Sequence, residues 1–355
     1  MERRDFVKQF LAAGTLSAIG GDFVKASVIQ EKRIDNVNKQ KIWAALIHLS
    51  FNMWEDHNRF VGDSNINLHW RGFESKLRFS DPMWRDILMT MKNQGLNMVL
   101  IDVGDGVKLN SCGEIAVGNA WSISKLKSEL DYIRSLGLEP IPKFNFSASH
   151  DTWFGLYGRM LSTPVYYEAC KRLIAEVIDL FDRPRFFHLG FDEEVYGHQT
   201  RYDYAVVRQN DLWWKDLLFL VNEVERGGAR AWIWSDYFWK HEGEFLKKMP
   251  KNVVQSNWYY KEDFKDTSNF QVQAYLKLAD AGFDQIPTSG YYQSDLNTMT
   301  SPLGINNTVE FCKDNLNTKQ LLGFMQTNWR PTIEDHRKDI LKSIELIGAA
   351  KRKFY

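Results

Sequence analysis

Two adjacent acids, Asp192 and Glu193, close the run Phe187-His188-Leu189-Gly190-Phe191-Asp192-Glu193-Glu194. The apolar stretch before them, from Arg185, reads as a buried strand, and carboxylates leaving a strand end can give or take a proton in a reaction. Side chains diverge at successive strand positions, so the two acids can serve different tasks. Adjacent acids after a strand also fit the first turn of a following helix, where they complement its dipole. Their company favours chemistry. Other apolar runs end on Asn52, Trp54, Glu55, Asp56 and His57, on Asp102 and Asp105, and on Asn145, His150, Asp151 and Trp153. Later ones end on Trp234-Ser235-Asp236-Tyr237, Asn257-Trp258-Tyr259-Tyr260, Ser289-Gly290-Tyr291-Tyr292 and Asn328-Trp329-Arg330. Carboxylates, hydroxyls and flat rings in one place suit a sugar, whose C–H faces stack on indole while its hydroxyls need polar partners. With 13 Trp and 14% aromatic residues the chain has more rings than a core alone needs.

The elements that must bring these ends together follow from periodicity. Strand-like runs begin at Ile42, Met98, Pro140, Arg185, Ala229, Val253, Phe283 and Leu321, without alternation, as buried parallel strands require. Helix signals lie between them. Asp81 as cap and Pro82 open one helix that presents Trp84, Ile87, Leu88 and Met91 before Gly95, and Ser124 caps a second that ends at Gly137. Thr163-Pro164 begins a third, and Trp213, Leu217, Leu220 and Val224 share the face of a fourth. Eight strands alternating with helices predict an α/β fold, a single-domain (β/α)8 TIM barrel over 41–355. A doubly wound sheet would also alternate, but Leu49-Ser50-Phe51-Asn52-Met53-Trp54 after the first strand lacks the glycine-rich phosphate turn of that fold. Barrel active sites occupy the C-terminal strand ends, where the residues above collect. Trp43, Trp84, Trp213 and Trp232 fit apolar patterns and read as core, and His188 as an inward-facing histidine.

Composition narrows the function classes. The 45 basic and 45 acidic residues cancel without a like-charge block, so neither a nucleic-acid surface nor a polybasic membrane anchor is expected. Cys112, Cys170 and Cys312 make no Cys-x-x-Cys pair and are odd in number, against a disulfide framework or thiolate metal site. His188 and Asp192 lack the same-face geometry of a metal pair, and no second histidine cluster completes one, so neither metal nor cofactor is expected. Residues 1–30 have the charged start and short apolar stretch of a twin-arginine-like export signal, from Arg3-Arg4-Asp5-Phe6-Val7-Lys8 through Gly21, with 31–40 as linker. The alternative for that segment is an amphipathic helix. Export places the protein in a bacterial periplasm or outside the cell, with buried thiols and no membrane span in the mature chain.

His188-Leu189-Gly190-Phe191-Asp192-Glu193 resembles the His-x-Gly-Gly-Asp-Glu signature of the β-N-acetylhexosaminidases, family 20 of the glycoside hydrolases. The stretch Ile141–His150, Trp234-Ser235-Asp236, Tyr291-Tyr292 and Gly323–Trp329 follow in family-like order. The resemblance implies a carbohydrate substrate and a retaining mechanism in which the substrate's own 2-acetamido group attacks the anomeric carbon. Glu193 would then be the general acid, its pKa raised by burial near aromatics, and Asp192 would orient the acetamide N–H. Tyr291 or Tyr292 would bond the acetamide carbonyl, Trp258 and Trp329 would wall the sugar with Trp234 behind it, and His150 would stand behind Glu193.

The sequence departs from that family at the hydroxyl end of the pocket. The family's arginine at the end of strand one is missing, with no arginine before Arg59, Arg330 stands where an acid follows the strand-eight tryptophan, and Phe191 replaces the second signature glycine. A cationic pocket end would favour a sugar bearing an acidic group. Two other readings remain at this level. A glycosidase acting on a sugar without an acetamido group could pair Glu193 with Asp236 or Asp102 and invert configuration. A non-catalytic glycan-binding barrel could keep the aromatic walls alone.

Overall fold

The apolar run at Ile42 forms strand β1, Ile42–His48, with every side chain buried, as a strand covered on both faces requires. The computed structural model describes residues 40–56, 70–200, 202–204, 206, 208–293 and 299–355. Within the unit Ile42–Tyr355, β1 is followed by β2 (Met98–Asp102), β3 (Glu139–Lys143), β4 (Phe186–His188), β5 (Arg230–Trp234), β6 (Val254–Ser256), β7 (Thr288–Gly290) and β8 (Gly323–Thr327). Neighbours pair in parallel from β1 through β6 and between β7 and β8, and β1 pairs with β8. Between β6 and β7 the wall closes through the bridges Gln255↔Gln285 and Trp258↔Thr288. The fold is a (β/α)8 barrel. The export-signal segment 1–30, and the linker up to residue 39, lie outside the described residues.

Eight long helices alternate with the strands: α1 (Asp81–Asn93), α2 (Ile123–Ser135), α3 (Pro164–Leu180), α4 (Asp211–Arg226), α5 (Phe238–Lys248), α6 (Phe270–Asp280), α7 (Gly304–Asn315) and α8 (Arg337–Phe354). Caps explain several starts, with two corrections. Ser80, not Asp81, caps α1 by accepting from the Met83 N–H, and Ser122, not Ser124, caps α2 by accepting from Lys125 N–H. The serine that caps lies one residue before Asp81 and two before Ser124. Thr163 and Pro164 open α3 as expected. Trp43, Trp84, Trp213 and Trp232 are buried, as are all three cysteines, which are unpaired.

Prolines shape two strands. Glu139 N–H bonds Asn97 O on the β2 side and Phe144 N–H bonds His188 O on the β4 side. Pro140 and Pro142 therefore turn their missing N–H groups toward β4, which pairs with β3 only at Lys143↔His188. Likewise β7 begins at Thr288 rather than Phe283, just after Pro287, with Gln285 held by isolated bridges to Gln255 and Leu321.

Inside the barrel, Lys143 is fully buried, and its Nζ donates to Asp102 Oδ2 at 2.5 Å, with His48 Nδ1 3.3 Å from the same oxygen. Burial drives the Asp102 carboxyl up, yet the Lys143 charge and His48 outweigh it and hold the group below its ordinary range, while burial lowers His48. Removing the cation leaves a buried carboxylate alone. Lys143→Met is expected to cost about 3–5 kcal/mol in denaturant unfolding, with part regained in the Lys143→Met, Asp102→Asn double variant. An unchanged midpoint in the single variant would mean that this pair does not hold the barrel interior.

Candidate active site

The β4 exit turns back sharply onto the rim. Gly190, Phe191 and Glu193 have φ of 73°, 74° and 54°, in the left-handed region. At Gly190 a Cβ would overlap Asn145 Oδ1, so a glycine is required there twice over. Phe191 and Glu193 lack that freedom, and each such residue costs on the order of 1–3 kcal/mol unless its surroundings impose it. They do. Asn145 Oδ1 accepts from Phe191 N–H at 3.3 Å and from Ser147 N–H at 3.1 Å, while Asp236 Oδ2 accepts from Glu193 N–H at 2.9 Å. The Phe191 ring packs edge-on against Trp213 at 5.3 Å, with the Arg208 guanidinium 4.5 Å over its face. Arg208 also binds Glu194, and donates to Asp216 Oδ2 at 3.1 Å, which draws the third acid of the run away from the other two.

Asp192 and Glu193 face a cavity of about 230 Å³ at the C-terminal end of the barrel. Its walls bring together Trp54, Trp234, Trp258, Tyr292, Trp329 and Arg330 from the strand ends singled out in the sequence. Trp329 (φ 41°) meets Trp54 and Trp234 at ring distances of 6.0 and 5.9 Å, and its Nε1 donates to Tyr260 Oη at 3.0 Å. Arg330 is not turned to solvent or to Glu334 and Asp335. It is 5% exposed, lies 5.7 Å from the Trp70 and Tyr292 rings, and donates to the carbonyls of Trp329 and Gln293.

Four expected site residues stand elsewhere. Asn145 is behind the wall, donating from Nδ2 to Asp192 Oδ1 at 2.8 Å, and Asp236 underlies Glu193 through the backbone bond above. His150 stands behind the acids as expected, with Nε2 3.6 Å from Asp192 Oδ2 and 3.3 Å from Glu193 Oε2. Of the tyrosine pair only Tyr292 lines the cavity; Tyr291, whose N–H bonds Thr327 O, does not, since neighbouring strand side chains point opposite ways. His57 lies outside the described residues.

Four lining residues were not anticipated, of which Phe51 comes from the turn after β1. Trp70 and Arg71 come far along the connection after β1, so the cavity does carry an arginine from that connection. His198, in a single helical turn Tyr196–Gln199, places Nδ1 3.0 Å from Glu193 Oε2. Its spacing of five residues from Glu193 fits neither a strand nor a helix face, so the sequence offered no signal. Folding thus brings a second histidine, beside His150, to the acids.

The electrostatics depart from expectation at Glu193. Burial pushes its carboxyl up, but His150 and His198 together outweigh burial and hold it well below the usual range. The raised carboxyl is Asp236: burial, then the neighbouring charges of Asp192 and Glu193, push it well above the ordinary aspartate range, against the bond from Glu193 N–H.

No protein-family model matches the sequence, and no curated protein matches it. Solved structures do match in fold. Dispersin B superposes with a TM-score of 0.55 at 17% identity, over 77% of this chain and 95% of its own. The tandem GH20 catalytic modules of the pneumococcal exo-β-D-N-acetylglucosaminidase StrH give 0.62 at 14% identity, over 90% and 85%. A GH20 exo-β-N-acetylglucosaminidase from Vibrio harveyi gives 0.59 at 12% identity over 89% of this chain, which spans 55% of that longer one. The likeness is one of fold: a barrel similar to those that carry glycoside hydrolase family 20 enzymes.

The loop that delivers Phe51 and Trp54 is pinned from below. Asp105 accepts from Ser50 Oγ at 2.5 Å and from Asn52 Nδ2 at 2.8 Å, and burial, opposed by these bonds, pushes its carboxyl from 3.8 up to about 6. The folded state therefore keeps a proton that the unfolded chain has lost, so this contribution is complete below about pH 3.8 and disappears as the pH rises through about 6. Relative to Asp105→Asn, the wild type is expected to lose about 2 kcal/mol between pH 4 and 7. Urea unfolding of both proteins across that range checks it; a pH-independent difference would place the Asp105 carboxyl at its ordinary value.

Proposed function

We propose that this chain is a glycoside hydrolase acting on 2-acetamido sugars with retention of configuration, as a β-N-acetylhexosaminidase does. The observation that carries the reading is the Asp192–Glu193 pair, whose carboxylates reach one aromatic-walled cavity from adjacent, conformationally fixed residues. The barrel likeness to GH20 structures supports it. The cavity is at the small end for ligand clefts, which suits one ring at a chain end more than the middle of a polymer.

In the proposed reaction the acetamide carbonyl oxygen attacks C1 as the C1–O bond to the leaving group breaks, and Glu193 delivers a proton to the departing oxygen. Water then opens the cyclic intermediate, its proton returning to Glu193. Asp192 would accept the acetamide N–H, its Oδ1 being already tied to Asn145, and Tyr292 would donate to the carbonyl. Glu193 Oε2 stands 3.3 Å from His150 Nε2 and 3.0 Å from His198 Nδ1, so the imidazoles are placed to pass it the proton it delivers. Inversion needs an ionised base. The Asp236 carboxyl is pushed well above its ordinary range and Asp102 is committed to Lys143, so neither suits that role. With Arg71 and Arg330 both on the wall, the preferred sugar is proposed to carry an acidic group.

Aryl glycosides with and without the 2-acetamido group test the reading, with turnover expected for the first only. Glu193→Gln is expected to lose about 10²–10⁴-fold on poor leaving groups while sparing those that need no proton; equal loss on both would remove Glu193 from the acid role. Asp192→Asn is expected to lower kcat on acetamido substrates more than it raises KM, since its contact strengthens as the carbonyl attacks. Unchanged kinetics, or a thiazoline mimic of the cyclic intermediate that fails to inhibit an active enzyme, would count against substrate assistance.

A further inference from the structure

His150, Glu193 and His198 converge from two different connections, the one after β3 and the one after β4. One ligand-type atom of each lies within 4.8 Å of the other two. Glu193 Oε2 is 3.3 Å from His150 Nε2 and 3.0 Å from His198 Nδ1. Both imidazole nitrogens are buried, and neither contact has hydrogen-bond alignment. His150 is 1% exposed, so its nitrogen faces the group with no route to solvent behind it.

Those spacings have a chemical meaning. Ligands about 2.0–2.1 Å from a tetrahedral Zn²⁺ stand roughly 3.3 Å from one another. The two measured distances are close to that edge, and two imidazoles with one carboxylate make a donor set found in zinc sites that keep a fourth position open. Here two of the three residues, Glu193 and His198, line the cavity. Ca²⁺ and Mg²⁺ require six or more oxygen ligands or retained water, and are poorly matched by two nitrogens.

We infer that His150, Glu193 and His198 form a binding site for Zn²⁺ or a similar divalent transition ion, and that its occupation switches the acid off. A metal bound to Glu193 Oε2 takes the lone pair that would otherwise carry the proton. Binding stands on the geometry alone; the inhibition rests on the function proposed above.

The experiment uses the full chain stripped by a chelator. Calorimetric titration with Zn²⁺ alone is expected to show one equivalent bound, and Co²⁺ alone to show the visible bands of a tetrahedral site. His198→Ala is expected to weaken both by at least the 10–100-fold that loss of even an outer-shell partner costs, and His241→Ala, outside the cluster, to bind as wild type. His198→Gln provides a second variant if thermal unfolding shows the alanine protein misfolded. Absence of Zn²⁺ binding in the wild type, or undiminished binding in the folded His198 variants, overturns the site. On an acetamido glycoside, Zn²⁺ is expected to suppress wild-type turnover in a manner reversed by chelator and weakened in His198→Ala. Turnover that is unchanged or raised by a stoichiometrically bound Zn²⁺ overturns the switch. A chain inactive on every glycoside with or without metal defeats the proposed function and with it the switch, while the calorimetry still decides the site.

Discussion

The Asn145 side chain is the joint on which the candidate site depends. Its amide nitrogen holds Asp192 Oδ1 at 2.8 Å, and its oxygen accepts the N–H groups of Ser147 and Phe191. One planar group thereby ties the β3 exit to the β4 exit and selects the left-handed backbone that aims the acids into the cavity. The fit leaves no room for a Cβ at Gly190. It also explains how Phe191 can stand at a left-handed position where the resembled signature has glycine. The backbone strain is offset by a ring buried against Trp213 and Arg208.

Four acids lie in or beside this turn, and they cannot all be ionised and unpaired in a nearly dry place. The structure separates them by partner. Glu194 is neutralised by Arg208, the Asp236 carboxyl is pushed up by burial and its neighbours' charge, Asp192 is hydrogen-bonded by Asn145, and Glu193 faces two imidazoles. The same segregation operates deeper in the barrel, where Asp102 meets Lys143 and His48. The raised Asp236 carboxyl follows from its burial and from the charges of Asp192 and Glu193 beside it, which outweigh the Glu193 N–H that its Oδ2 accepts.

The strands were legible because a parallel barrel strand is buried on both faces, and an unbroken apolar run such as Ile42–His48 reports that directly. Where proline intervened, legibility fell: the β-like run at Phe283 becomes regular strand only after Pro287. The caps at Ser80 and Ser122 lie one and two residues before the expected Asp81 and Ser124, because these neighbours are also capping residue types and local sequence does not rank them. Among site residues, Trp54, Trp234, Trp258, Tyr292, Trp329, Arg330, Asp192 and Glu193 reach the cavity because the fold delivers every strand's C-terminal end to one rim.

Chain position alone thus determined the fold, the rim and the pair of acids. What it could not determine was which of two alternating side chains turns inward at a bent strand end, as Tyr292 does and Tyr291 does not. Nor could it give the protonation of the acids. Burial by itself argues for a raised Glu193, but His198 and His150 reach it from separate connections and reverse the sign, while Asp236, without a cation, takes the raised value instead. Those outcomes depend on contacts between residues far apart in sequence or held in irregular loops. Electrostatic terms fall off over a few ångströms, so only the tertiary structure decides which charges meet.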